Sequence, residues 1–267
     1  MSEINSLIHP TAIISESAKI ADNVKIGPYS IIGENVILGS GCIVGPHVII
    51  EGFTEVGENN HFFQFSSIGS EPQDLKFKGE ESKLIIGNNN KIREFVTIQP
   101  GTLGGGMLTQ VGDNNLFMAN THVGHDSIVG SNCWMANSSA LAGHVVVEDN
   151  VIIAGLSGIH QGVRLGQGSF MAGGAKVVKD VPPFCYAQGD RAGLVGINKI
   201  SLSRKGVTVE EVKGLISTFK QIFLSDGIYT DNLEKAKENF NNNEYSQILI
   251  DFLIASSDRG ITQIRKN

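Results

Sequence analysis

From Ile8 onward a large apolar residue stands at every sixth position: Ile14, Ile20, Ile26, Ile32, Leu38, Val44, Ile50, Val56, Phe62 and Ile68. The series breaks, resumes at Ile86, Ile92 and Ile98, and breaks again. It then runs through Val111, Phe117, Val123, Val129, Met135, Leu141, Val147, Ile153, Ile159, Leu165 and Met171 to Val177. A period of six matches neither the 3.6-residue repeat of an amphipathic helix nor the two-residue alternation of a long strand. It fits short strands joined by sharp turns. Gly often follows the anchor, as at Gly27, Gly33, Gly124 and Gly130, and a small or β-branched residue sits four places on, as at Ala12, Ala18, Val24, Ser30, Thr121, Ser127, Cys133, Ser139, Ser157 and Ser169. Anchor and small residue are both expected to point inward. Three such units close a triangular coil of about 18 residues, and coils stack at roughly 4.8 Å. Separate β-hairpins would not hold one register over this length.

The period resembles that of the hexapeptide-repeat proteins, whose members form left-handed parallel β-helices; the handedness comes from that resemblance. The expected fold class is therefore an all-β solenoid, a left-handed parallel β-helix over residues 1–190, followed by a small α-helical domain over 191–267. In the second part, TVEEVKGLISTFKQIF spaces Val212, Leu215, Ile216, Phe219 and Phe223 as a helix does. Thr208 and Glu211 offer a capping box, and Gly227 a stop. LEKAKENF and YSQILIDFLIASSDRG read as two further helices. The breaks at 69–85 and 101–110 must emerge as loops, which are favoured places for binding. The first carries Asp74, Lys76, Lys78 and Lys83; the second, GTLGGGMLTQ, lacks the context of a phosphate-binding loop.

A net charge of −6 argues against wholesale nucleic-acid binding, and no apolar run reaches the roughly 18 residues of a membrane span. MSEINSLIHP lacks the basic segment and apolar core of a secretory leader. Cys42, Cys133 and Cys185 are odd in number and show no CxxC spacing. A reducing, cytoplasmic setting is expected.

Four of the seven histidines, His122, His125, His144 and His160, fall in the second half of the repeat. With an 18-residue coil, His125, Gly143 and Gln161 share one corner column, and Asp126, His144 and Gly162 the next. These side chains are expected on exposed turns. Three readings of the column are open. It can be solvated turn decoration; it can gather three or four ligands for zinc, as in the zinc-dependent carbonic anhydrases of this fold; or His125 can act as a general base oriented by a carboxylate. In the last reading Gly143 brings a bare backbone N–H to the reacting carbonyl. A solenoid has no deep interior pocket, so a cleft is expected where subunits meet.

More specific motifs lie on this frame: IHPTAI at 8–13, IGPY at 26–29, PQDLKFKGE at 72–80, IRE at 92–94, HVGHD at 122–126, LAGHV at 141–145, IHQ at 159–161 and DVPP at 180–183. Together they resemble the UDP-N-acetylglucosamine O-acyltransferases, over essentially the whole chain. The resemblance implies a cytoplasmic homotrimer with active sites between subunits, needing no cofactor or metal. Its partners would be an (R)-3-hydroxyacyl donor on acyl carrier protein and UDP-N-acetylglucosamine, joined in the first step of lipid A synthesis. Carried over by motif, the catalytic set is His125 as base, Asp126 as its partner and Gly143 as oxyanion donor. His122, His144 and His160 would line the cleft, and Gln73, Asp74, Lys76, Gln161, Asn198 and Arg204 would contact the nucleotide sugar. Phe170, Gly173 and Arg191 lie where the family sets acyl-chain length. The chain departs from the family pattern at Gln99-Pro100-Gly101-Thr102, where many members read THRGT, and at Gly162, where an aromatic is common. Some relatives acylate a 3-amino sugar and form an amide, which stands as the alternative acceptor.

Overall fold

The computed structural model describes residues 7–255 and 257–265; Ser256, inside the third expected helix, lies outside them, as do the ends of the two expected domains. Most hexads form a two-residue strand whose second residue is the anchor, Phe53–Val56, Lys83–Ile86 and Leu108–Val111 being four-residue strands that end on it, and every eighteen residues the chain returns beside itself. Three parallel sheets result. The first stacks Ile14, Ile32, Ile50, Ile68, Ile98, Val123, Leu141, Ile159 and Val177. The second stacks Ile20, Leu38, Val56, Ile86, Val111, Val129, Val147 and Leu165. The third runs from Ile26 through Phe62, Phe117 and Met135 to Met171. Anchors pointing inward from all three faces make one continuous core, and nearly all are fully buried. The first coil is the exception. Ile8 is 37% exposed and Ile14 and Ile20 only half-buried, since no coil of the described residues packs on that side of them.

A triangle needs corners, and from Tyr29 onward most corners place one residue at positive φ. Asn59, Asn89, Asn114, Asn132 and Asn150 take φ of 56 to 61° at one of them. Asn tolerates the left-handed region better than most residues, because its short polar side chain can bond locally. Another corner carries Tyr29, His47, Phe65 and Phe95, whose rings stack at 5.1 to 5.3 Å.

Inside, the small-residue positions form polar ladders. Asn90 donates through its amide to Asn60 Oδ1 (3.0 Å) and Gly112 O (3.0 Å), and accepts from Asn115 N (2.9 Å). Burying these amides is affordable only because each finds partners in the neighbouring coils. The free thiols of Cys42, Cys133 and Cys185 lie in the same column. Burial pushes all three thiols up, that of Cys133 to about 12. They are core groups and not nucleophiles.

The two breaks in the repeat are insertions at one corner. Ser67 pairs with Thr97, and Thr97 with His122, so the step lengthens from eighteen to thirty and then twenty-five residues without loss of register. Both loops leave after a first-sheet strand and rejoin at the second sheet, at Lys83 and Leu108. One coil higher, this corner carries His125.

The stack is closed by Cys185–Gln188, parallel to Phe170–Met171, and by Gly193–Ile197, antiparallel to it. Helices follow: α1 (Lys199–Arg204), α2 (Val209–Phe223), α3 (Tyr229–Asn239) and α4 (Glu244–Ile254). The capping box forms as expected, with Thr208 N donating to Glu211 Oε2 (2.9 Å) and Glu211 N to Thr208 Oγ1 (3.3 Å). Helix α2 ends at Phe223, before Gly227, which sits at φ +112° in the turn to α3. Helix α1 carries no apolar periodicity long enough to read from sequence; Asn198 caps it, accepting from Ser201 N. The buried carboxylate of Asp180 ties the C-terminal stretch to the solenoid, accepting from Arg164 N (2.8 Å) and Ser257 Oγ (2.6 Å).

Two outcomes follow from the interior. Asn90→Ala strands its partners and should lower stability by about 3 kcal/mol, at roughly 1 kcal/mol per lost bond, seen as a fall in the thermal midpoint. In the native protein no cysteine should react with a thiol reagent such as DTNB at pH 8, whereas all three should react in guanidinium.

Candidate active site

The corner between the first and second sheets turns at Gly124–Ser127 and again, one coil on, at Ala142–Val145. Asp126 (φ 58°) and His144 (φ 60°) are the left-handed residues of these corners. Asp and His are among the non-glycine side chains that enter this conformation most readily. His144 N donates to His125 O (2.8 Å) and Gly162 N to Gly143 O (3.1 Å), so the columns stack as the eighteen-residue period predicts.

His125 Nδ1 lies 2.8 Å from Asp126 Oδ2. His144 stands edge-on to His125, ring centroids 5.1 Å apart at 87°, with its Nε2 3.8 Å from the same oxygen. The His125 ring rests against Gly143: a Cβ there would lie 2.6 Å from Nε2 and would push the ring aside. Among the described residues the Gly143 N–H has no hydrogen-bond partner, and neither has His125 Nε2. Pro28 and Pro46 occupy the same step after their anchors, which shows that the ladder needs no N–H there. A free base nitrogen and a free donor thus stand side by side.

One expectation is corrected. Asp126 is not on an exposed turn: its side chain is 0% exposed, against 12% for His125 and 32% for His144. The second insertion folds over it. Thr102 N donates to Asp126 Oδ1 (2.8 Å) and Thr102 Oγ1 to Oδ2 (2.6 Å), while Asp126 N donates to Thr109 Oγ1 (2.8 Å). Sequence reasoning set this Gly-rich loop aside and so missed Thr102 and Thr109. The one legible signal was its position, a single coil before HVGHD.

His122 faces outward from the first sheet, Nδ1 2.7 Å from Thr97 Oγ1. Burial, and secondarily His125, lowers its pKa. His160 is exposed on the next coils, its Nδ1 donating to Gln161 O (3.2 Å). In the first insertion Gln73 and Lys76 are exposed and Asp74 half-buried; Asp74 Oδ1 accepts from Lys76 N (3.0 Å). The two insertions are clasped together by Glu80 Oε1, which accepts from Leu103 N (2.9 Å), and by Gln99 Nε2 on Glu71 O (3.4 Å).

The remaining candidates lie elsewhere on this chain. Asn198 and Arg204, with Phe170 and Trp134, line a cleft of about 570 Å³ over the third sheet. Gly173 sits at the corner between the third and first sheets, and Arg191 is exposed beside the Lys176–Asp190 pair. A single chain does not bring these to His125.

A metal reading was open in the sequence, and His125, Asp126 and His144 do offer ligand atoms within 4.8 Å of one another. Two ligands of tetrahedral zinc stand roughly 3.3 Å apart. The 2.8 Å between His125 and Asp126 is a hydrogen-bond length, and Oδ2 already accepts from Thr102. The geometry favours a protonic pair.

Burial also lowers the pKa of His61, aided by Lys91 and Arg93. In the unfolded chain both His61 and His122 would take up a proton near pH 6.5. Below that pH the unfolded state binds more protons than the folded one, so stability falls as pH drops and is full above about 6.5. Denaturant midpoints measured from pH 7.5 to 5.5 should fall, and His122→Gln should flatten part of that slope.

Residues 180–262 match the model of UDP-N-acetylglucosamine O-acyltransferase domain 2, and residues 17–52 match that of the bacterial transferase hexapeptide repeats. The chain is 45% identical to the acyl-[acyl-carrier-protein]--UDP-N-acetylglucosamine O-acyltransferase of Aliarcobacter butzleri over 97% of its own length and 99% of the relative's. It is 47% identical to the protein of the same name from Myxococcus xanthus, over 96% and 99%. Its structure superposes on LpxA from Acinetobacter baumannii with a TM-score of 0.94 at 44% identity, covering 97% of this chain and 100% of that one. The solenoid is thus a left-handed parallel β-helix with a helical C-terminal part. With likeness of this extent in sequence and in fold, the chain belongs to the UDP-N-acetylglucosamine O-acyltransferase family.

Proposed function

We propose that this chain moves an (R)-3-hydroxyacyl group from acyl carrier protein to the 3-hydroxyl of UDP-N-acetylglucosamine, the first step of lipid A synthesis. The observation that carries the chemistry is the His125–Asp126 pair, with Nδ1 on a buried carboxylate and Nε2 free beside the Gly143 N–H. The names of near-full-length relatives support the reaction.

In this reading Asp126 holds His125 in the Nδ1–H tautomer, so Nε2 is the basic nitrogen. Nε2 removes the proton of the sugar 3-hydroxyl as its oxygen attacks the thioester carbonyl. The C–O bond forms, the carbonyl electrons move onto oxygen, and the Gly143 N–H meets the developing charge. Collapse breaks the C–S bond, and the departing thiolate takes the proton back from the imidazolium. Ester and free thiol result, with no net proton change.

In the same reading His122, His144 and His160 would line the cleft, and Gln161, with Gln73, Asp74 and Lys76 from the first insertion, would contact the nucleotide sugar. Asn198 and Arg204 belong to the cleft over the third sheet, and Phe170, Gly173 and Arg191 would limit acyl length. That these two groups lie on different faces of one chain supports a homotrimer whose sites form between subunits. A cytoplasmic setting and no nucleic-acid partner belong to the same reading, for a chain of net charge −6. Among the described residues no helix is long and apolar enough to cross a membrane.

The test is to incubate the protein with UDP-N-acetylglucosamine and 3-hydroxyacyl carrier proteins of several lengths, and to weigh the products. An acylated sugar is expected; none with any donor overturns the reading, and product with the 3-amino sugar alone reassigns the acceptor. His125→Ala should lower kcat by about 10²–10⁴-fold with little change in KM.

A further inference from the structure

The Gly-rich insertion at 101–110 has no phosphate-binding motif, yet it packs directly on the proposed dyad. From this geometry we infer that Thr102 is a positioning residue for the acyl transfer, fixing Asp126 as the acceptor that orients His125. The inference rests on the reading of His125 as base.

The Asp126 carboxylate lies between donors. Oδ1 accepts the Thr102 N–H, which can only donate; Oδ2 accepts the Thr102 hydroxyl at 2.6 Å and His125 Nδ1 at 2.8 Å. With both oxygens held by one residue, the carboxylate plane cannot turn. The fixed partner of the remaining Oδ2 lone pair is then the Nδ1–H of His125, which leaves Nε2 as the basic atom. A competitor is close by: His144 Nε2 stands 3.8 Å from the same Oδ2. A carboxylate free to rotate could shift toward His144 and release His125.

The loop around Thr102 is built for this closeness. Gly105 lies so near that a Cβ there would stand 2.0 Å from the Asp126 carboxyl carbon. Gly105 N and Met107 N both donate to Thr102 O (3.0 Å each), closing the turn on itself. Leu103 N donates to Glu80, so the first insertion, which carries Gln73, Asp74 and Lys76, braces the second. The contact also excludes water from Asp126, strengthening each of its hydrogen bonds.

The experiment uses the full-length protein and steady-state kinetics. Thr102→Val keeps the shape and the backbone N–H but removes the hydroxyl. It should lower kcat roughly 10- to 100-fold, the scale of a misaligned catalytic group, with KM for the UDP-sugar changed less than about threefold and the thermal midpoint held. Thr102→Ser should keep kcat within about threefold. The decisive readout is coupling: in the Asp126→Asn background, Thr102→Val should cost little further, because the group it positions is gone. Thr102→Ala carries the same cycle if the valine variant fails to fold. An unchanged kcat in Thr102→Val, or losses that simply multiply in the double variant, overturns the inference. If His125→Ala itself stays active, the reading of the dyad fails and not the role of Thr102 alone.

Discussion

Every feature of this protein depends on the eighteen-residue return of the backbone onto itself. Each coil hydrogen-bonds to the coils above and below, so strands only two residues long, unstable alone, are held by their neighbours. The register is enforced twice, by backbone ladders outside and by stacked anchors inside. A slip of one residue would turn every anchor outward. Insertions are tolerated because they leave and rejoin at a corner without disturbing either constraint.

The same corners that close the triangle build the site. Most turns of the stack hold a left-handed residue, and at two successive coils Asp126 and His144 take that place. His125 and His144 thereby both face the Asp126 carboxylate, and Gly143 packs against the His125 ring. The rigidity of the solenoid does for the His125–Asp126 pair what a mobile loop could not: it holds the ring and the Gly143 N–H in fixed relation, as the proposed transfer needs. The insertions supply what the flat faces lack, a cover that dries Asp126 and polar side chains that project outward.

Much of this was legible because the repeat is strictly periodic. The anchors, the small inward residues, the capping box at Thr208 and the stacking of His125 on Gly143 all follow from counting. Helix α1 was not, because six residues carry too little periodicity. Nor was the burial of Asp126, since a position three after an anchor is ordinarily an exposed turn. Thr102 was hidden for the same reason: the clasp on Asp126 joins residues from different coils across an irregular loop, where no period applies.

The sequence by itself determined the β-helix, the column of histidines and the family motifs, because one-dimensional spacing maps directly onto a one-dimensional stack. Only the tertiary structure decided that Asp126 is dry, that Thr102 holds it, and that the cleft over the third sheet lies away from His125. Those facts depend on how irregular loops fold back over the stack and on which faces the triangle turns apart. Local spacing encodes neither.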